Sequence, residues 1–260
     1  MKLLRTLVLP LLAGLAFSCE TSDAVTQDDG ISSDVLAQVA AAGFSTEKVI
    51  RDGDGYIIEG DIYLSHQELF KVPAAFRLPN LEQYSTNNLV TGLPRTITVA
   101  VSSQLPASYG AALDEMISRY NAENLQLTFQ RVTSGANITF VRGNGSYLAS
   151  AGFPTAGGDP YSQVKINSKA IGSNPNTAYL ATIMAHEAGH CIGFRHTDYM
   201  DRSYSCGGAT ANEGASTVGA NHIPGTPTTA DPGSFMLACI GSNQNRPFNA
   251  NDKTALGYLY

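Results

Sequence analysis

Five histidines occur in the chain, and three of them fall within one short window, His186-Glu187-Ala188-Gly189-His190-Cys191-Ile192-Gly193-Phe194-Arg195-His196. Imidazoles and a carboxylate at fixed spacing are the donors of transition-metal chemistry. On a helix, positions i and i+4 share a face, so His186 and His190 can grip one ion. Glu187 follows the first ligand and can reach a water on that ion. Gly193 tolerates positive φ, which lets the chain turn sharply and bring back His196 as a third ligand. Three protein ligands with a fourth position left for water define a catalytic zinc site rather than a structural one. One Zn2+ ion is therefore the expected cofactor. At average residue frequencies, five fixed positions would arise by chance in a chain of this length on the order of 1 in 100,000 times, so the pattern is read as chemistry.

Periodicity locates the elements that must hold this cluster. Asn176 or Thr177 can cap a helix that buries Tyr179, Leu180, Ile183 and Met184 and runs directly into His186. Upstream, Ile97, Val99 and Val101 alternate as a strand does. Leu113, Met116, Ile117 and Tyr120 mark one face of an amphipathic helix. Leu125, Leu127 and Phe129 alternate again, as do Ile138 and Phe140, and Val164 and Ile166 form a shorter strand after a glycine-rich loop. Residues 251–260 read as a capped terminal helix. From Arg95 onward the class is α+β.

The first residues predict export. Lys2 and Arg5 precede an apolar run from Leu7 to Phe17, which is too short to cross a bilayer and suited to a signal peptide. Ser18-Cys19 resembles a bacterial lipobox, which implies a lipidated Cys19 anchoring the chain to the outer membrane or cell surface; the alternative is plain secretion. The expected organisation is a signal over 1–18, a flexible tether over 19–30, a small N-terminal unit over 31–93, and a catalytic domain over 94–260. In the small unit, Val35, Val39 and Phe44 mark a helix ended by Gly43, and Tyr56-Ile57-Ile58 and Ile62-Tyr63-Leu64 mark strands. His66 stands alone there and is expected at the surface. A net charge of −6 without Lys/Arg runs argues against a nucleic-acid partner. A monomer is expected.

The extended histidine pattern resembles the metzincin signature. That resemblance implies a Met-turn, for which Gly233-Ser234-Phe235-Met236-Leu237-Ala238 supplies Met236. The order strand, helix, strands, zinc helix, Met-turn and final helix resembles the metzincin layout, with a mixed twisted sheet. A narrower resemblance, to bacterial dual-action HEIGH metallopeptidases, rests on His186 to Tyr199, on Ile223-Pro224-Gly225-Thr226-Pro227 and on Gly53 to Ile62. It implies a zinc endopeptidase acting on a protein or peptide substrate, with His186, His190 and His196 as ligands and Glu187 as general base. A zinc-binding adhesion lipoprotein without activity and a hydrolase of non-peptide substrates are the alternatives. Several metzincin families carry a tyrosine two residues after the Met-turn methionine; Ala238 stands there, and Tyr199 is the candidate substitute for oxyanion support.

With Cys19 set aside, an oxidising compartment favours one disulfide among the remaining cysteines. Cys206–Cys239 is the expected pair, tying the loop after the zinc helix to the Met-turn. Cys191 is expected as a buried filler, because the next helical position points about 100° away from His190. By resemblance, Gln163 to Asn167 would be the edge strand that pairs with substrate, and Ile223, Pro224 and Phe235 would give an apolar pocket. Ile31–Asn88 is a candidate pro-segment released near Arg95, with Asp52, Asp54 or Asp61 in the fourth metal position. A permanent spacer is the alternative.

Overall fold

The structure is a computed structural model that describes residues 30–71, 83–210, 212–213 and 219–260. The expected signal peptide, Cys19 and nearly all of the tether lie outside the described residues.

Helix α1 (Ser33–Ala41) begins where the Ser32 hydroxyl accepts the Val35 N–H, and Gly43, at φ 85°, turns the chain after it. Its buried Val35 and Val39 pack with Phe44, Val49, Ile58 and Leu64. Strands β1 (Ile50–Asp52), β2 (Gly55–Ile58) and β3 (Ile62–Ser65) form an antiparallel sheet in that order, followed by α2 (His66–Lys71). The β2–β3 turn holds two successive residues in the left-handed region, Glu59 at φ 57° and Gly60 at φ 96°. Left-handed backbone is costly for a residue with a side chain, so Glu59 must be held by its contacts. His66 is exposed, as expected for a lone surface histidine.

The larger unit contains β4 (Tyr84–Ser85), β5 (Arg95–Val101), α3 (Tyr109–Asn121), β6 (Leu127–Arg131), β7 (Ile138–Arg142), β8 (Ala149–Ser150) and β9 (Gln163–Ile166). It continues with α4 (Ser168–Ile171), α5 (Thr177–Cys191), α6 (Ser203–Cys206), β10 (Asn221–His222) and α7 (Ala250–Leu259). The main sheet has the order β6-β5-β7-β9-β8, with parallel pairs except for antiparallel β8. The class is therefore α+β with a mixed sheet. Ile97, Val99, Phe129, Phe140, Val164 and Ile166 share one core with Leu113, Met116 and Tyr120 of α3 and with Leu180, Ile183 and Met184 of α5. Each such fully buried side chain contributes about 1.5–3 kcal/mol. The Tyr120 hydroxyl also donates to the Ala185 carbonyl at 2.8 Å, which fixes α3 against α5 one residue before His186.

Two expectations change. The strand at Gln163–Ile166 is not the sheet edge, because β8 adds beyond it and takes the edge. The short Ala149-Ser150 pair carries too little periodicity to announce itself in sequence. Residues 83–93, assigned to the N-terminal unit, are bound into the larger one. Gln83 accepts from the Ile223 N–H, Tyr84 from Arg195 N–H, and Thr86 N–H donates to Gly193. Val90 N–H donates to the Tyr260 hydroxyl. Arg95 opens a strand paired on both sides, so a cut near Arg95 would fall within the larger unit.

Candidate metal centre

Helix α5 starts at the Asn176 cap, whose side chain accepts the Tyr179 N–H, and carries His186 and His190 one turn apart. Gly193 adopts φ 107°, a conformation closed to most residues. A Cβ there would also lie 2.9 Å from the Asn88 carbonyl. This turn delivers His196. Nε2 of His190 lies 3.1 Å from Nε2 of His186 and 3.2 Å from Nε2 of His196. Asp61, in the turn immediately before β3, completes the set, with Oδ2 3.2 Å from His196 Nε2 and 3.4 Å from His186 Nε2.

A tetrahedron with zinc-type arms of 2.0–2.1 Å has edges of about 3.3–3.4 Å, and these separations match it. The protonation pattern agrees. Nδ1 of His186 donates to the Phe235 carbonyl at 2.9 Å, and Nδ1 of His190 donates to the Phe194 carbonyl at 2.8 Å. Nδ1 of His196 faces both oxygens of Glu213 at 3.0 Å. Three Nε2 atoms and a carboxylate therefore converge on one point, an arrangement that a divalent cation suits. Burial and the two neighbouring imidazoles hold His190 well below the usual histidine range, which keeps it neutral. The donor set, three imidazoles and one carboxylate, suits zinc.

Glu187 is 3 % exposed and its Oε2 has no hydrogen-bond partner among the described residues. Burial, reinforced by the charge of Asp61, pushes its carboxyl well above the ordinary value. Met236 is buried in the turn before the disulfide, and a Cβ on Gly189 would lie 2.6 Å from its sulfur. The methionine thus packs directly on the helix between Glu187 and His190. Cys206 and Cys239 are joined by a disulfide, and Cys191 is a buried free thiol. Tyr199 packs edge-on against Tyr84, with ring centroids 4.4 Å apart, and is not among the residues lining the cavity beside the metal ligands.

That cavity, of about 250 Å³, is bounded by His186, Glu187, Phe235 and Leu237 and also by Thr182 and Arg246. Ile223 and Pro224 are not part of it; Ile223 lies in the main core. The expected apolar pocket is therefore partly polar, because residues from α5 and from the loop before α7 fold in beside Phe235.

Sequence reasoning missed Glu213. Its carboxylate holds His196, forms an ion pair with Arg202, whose Nε lies 3.2 Å away, and lies 4.0 Å from Arg195. One signal was available: it is the only charged residue between Arg202 and Asp231. Carboxylates behind metal-binding imidazoles raise ligand basicity, and removing one commonly costs 10–100-fold in metal affinity. Glu213→Gln is expected to weaken zinc binding by about that factor, read by competition with a chromophoric chelator. Unchanged affinity would reduce Glu213 to a packing role.

Arg195, between the ligands His190 and His196 in sequence, is fully buried. It meets Glu59 of the N-terminal unit at 3.5 Å, and its guanidinium lies over the Phe44 ring at 5.4 Å. The Asp61–Tyr63 stretch lies along the sheet edge: Ala151 N–H donates to the Asp61 carbonyl and Tyr63 N–H to the Ala151 carbonyl.

A family model described as dual-action HEIGH metallo-peptidase matches residues 56–260. Among curated proteins none matches the chain. Among solved structures, one of myroilysin is similar at 15% identity with a TM-score of 0.42, covering 66% of this chain and 95% of that one. High choriolytic enzyme 1, a hatching enzyme zinc-protease from Oryzias latipes (medaka fish), is similar at 16% identity with a TM-score of 0.34, covering 61% and 86%.

Proposed function

The chain belongs to the dual-action HEIGH metallopeptidase family, a zinc metallopeptidase by its family and donor set, and from that premise we propose that it is an endopeptidase in which Glu187 is the general base. The observation that carries this reading is the buried Glu187 Oε2, left without a partner beside three converged Nε2 atoms.

His186, His190 and His196 would hold the ion. Bound there, zinc supplies a Lewis acid that lowers the pKa of a bound water to about 7 and polarises the carbonyl under attack. Glu187 takes one proton from the attacking water as the new C–O bond forms. It then delivers that proton to the amide nitrogen as the C–N bond breaks, so the amine leaves neutral. The carbonyls of Phe235 and Phe194 and the carboxylate of Glu213 keep the three rings fixed throughout. Met236, packed on Gly189, is the Met-turn methionine in this reading and supports the helix from below. The sheet edge at Ala149–Ala151 offers its backbone to an extended substrate, which gives affinity with little sequence preference.

The N-terminal unit fits the role of a pro-segment in the same proposal. The Glu59-Gly60 turn drives Asp61 into the fourth metal position, where substrate and water must enter. Because residues 83–93 are bound into the catalytic unit, separation would have to follow cleavage between Lys71 and Gln83 rather than near Arg95.

The direct test is chelation. Cleavage of a quenched peptide or of casein is expected to stop with 1,10-phenanthroline and to return on adding back stoichiometric zinc. Hydrolysis that persists with zinc removed would end this reading.

A further inference from the structure

Arg246 lines the cavity beside His186 and Glu187 and is only 9% exposed. Its backbone is pinned to the zinc-binding helix, with the N–H donating to Thr182 Oγ1 at 3.0 Å. The guanidinium has five N–H donors. Nη1 donates to the Cys239 carbonyl at 3.0 Å and Nη2 to Gln244 Oε1 at 3.3 Å, and both acceptors are neutral. Nε has no acceptor.

Two carboxylates, Asp198 and Asp252, bear on this charge from neighbouring elements, but their oxygens are committed elsewhere. Asp198 accepts from Ala238 N–H and the Ser205 hydroxyl. Asp252 accepts from Ser234, Gln83, Phe235 and Asn249. Among the described residues no carboxylate forms an ion pair with Arg246. The other arginine at the cavity, Arg202, has an ion-pair partner in Glu213. One buried positive charge without an ion pair among the described residues therefore lines a cavity of about 250 Å³, room for a single side chain; the Asp61 carboxylate lines it too, but belongs to the N-terminal unit that the proposed function removes. Burying a charge in this way is costly unless something pairs with it.

Glu187 fixes which side chain enters. It returns its proton to the leaving amide nitrogen, so the residue that owns this nitrogen lies against Glu187, and its side chain branches one bond away. Glu187 is itself part of the cavity wall. We propose that Arg246 makes this cavity a subsite for an acidic side chain on the residue immediately after the scissile bond. The inference rests on the peptidase reading and adds a substrate class to it. An arginine presents paired N–H groups to a carboxylate, whereas a neutral amide in the same place leaves the charge unpaired.

The test uses the active zinc enzyme and a set of quenched-fluorescence peptides identical except for the residue after the cut: Asp, Glu, Asn, Gln, Ala or Lys. The acidic peptides are expected to exceed their amide twins by about tenfold or more in kcat/KM, with Lys the poorest. In Arg246→Gln the acid-to-amide ratio is expected to collapse toward unity, and Arg246→Lys to restore part of it. Equal cleavage of Asp and Asn peptides by the unmodified enzyme overturns the subsite, whether or not the variants fold. So does an Arg246→Gln enzyme that loses activity equally on every peptide, since that marks a structural role. Chelator-sensitive cleavage without charge discrimination sinks the subsite alone, whereas absence of any chelator-sensitive cleavage sinks the peptidase reading with it.

Discussion

Glu187→Ala is expected to lower kcat for peptide hydrolysis by about 10²–10⁴-fold while the protein still binds one zinc ion and melts at an unchanged temperature. The separation of the two effects follows from the geometry. The ligand atoms belong to His186, His190 and His196, and their ring orientations are set by Phe235, Phe194 and Glu213. None of those contacts involves Glu187. Its Oε2 makes no hydrogen bond that the fold would lose, so the substitution removes a desolvated acid and leaves the scaffold intact. The measurement pairs single-turnover or steady-state kinetics with metal analysis and thermal unfolding of the same preparation. A variant that keeps full metal and a rate within tenfold of the parent would place the base elsewhere. Glu187→Gln serves as the near-isosteric control and is expected to be as inactive, because an amide cannot take the proton.

Asp61→Ala is expected to act in the opposite direction, raising the activity of the unprocessed chain at least about tenfold. In the proposed reading the carboxylate fills the position where water must bind, and its charge is held there by the surrounding imidazoles, which outweigh the cost of burial and keep it well below the usual carboxylate range. An anionic ligand at zinc both occupies the site and diminishes the cation's charge. Its removal should open the metal without detaching the unit, because Glu59 still meets Arg195 and the strand still pairs with Ala151. Activity is therefore expected to remain below that of protein cleaved between Lys71 and Gln83. Peptide turnover by uncleaved Asp61→Ala, with the chain length checked by mass spectrometry, decides the matter. If the uncleaved parent is already as active as the cleaved protein, the latency proposal fails. If only cleavage activates and Asp61→Ala does nothing, the block lies in the strand across the cleft and not in the carboxylate.

These two residues show what was legible in the sequence. Glu187 and the three histidines announced themselves because helical spacing and one glycine turn bring them together within a short window. The helices at α3, α5 and α7 were legible for the same reason, their apolar positions repeating over enough residues to fix a face. Asp61 was one of three aspartates that could have reached the metal, and nothing local separated them. The structure separates them by their partners. Asp52 pairs with Lys165 at 2.9 Å and accepts from the Tyr147 hydroxyl, and Asp54 accepts from the Tyr63 hydroxyl. Asp61 follows two left-handed residues that aim it inward. Glu213 and Arg246 were hidden because they arrive through long loops, where no periodicity links sequence position to place. The strand at Gln163–Ile166 lost its edge position to a two-residue strand that no pattern could reveal.

The placement of Asp61 on the same polypeptide as the metal site has a consequence for control by volume. A blocking group carried on the same chain keeps its local concentration whatever the protein's own concentration. Dilution cannot relieve it. Once the backbone between Lys71 and Gln83 is severed, the same contacts become a two-body equilibrium. In a confined compartment the fragment would rebind; released into a large volume, it would be lost. The severed chain would then fire according to where it is, not only to whether it has been cut.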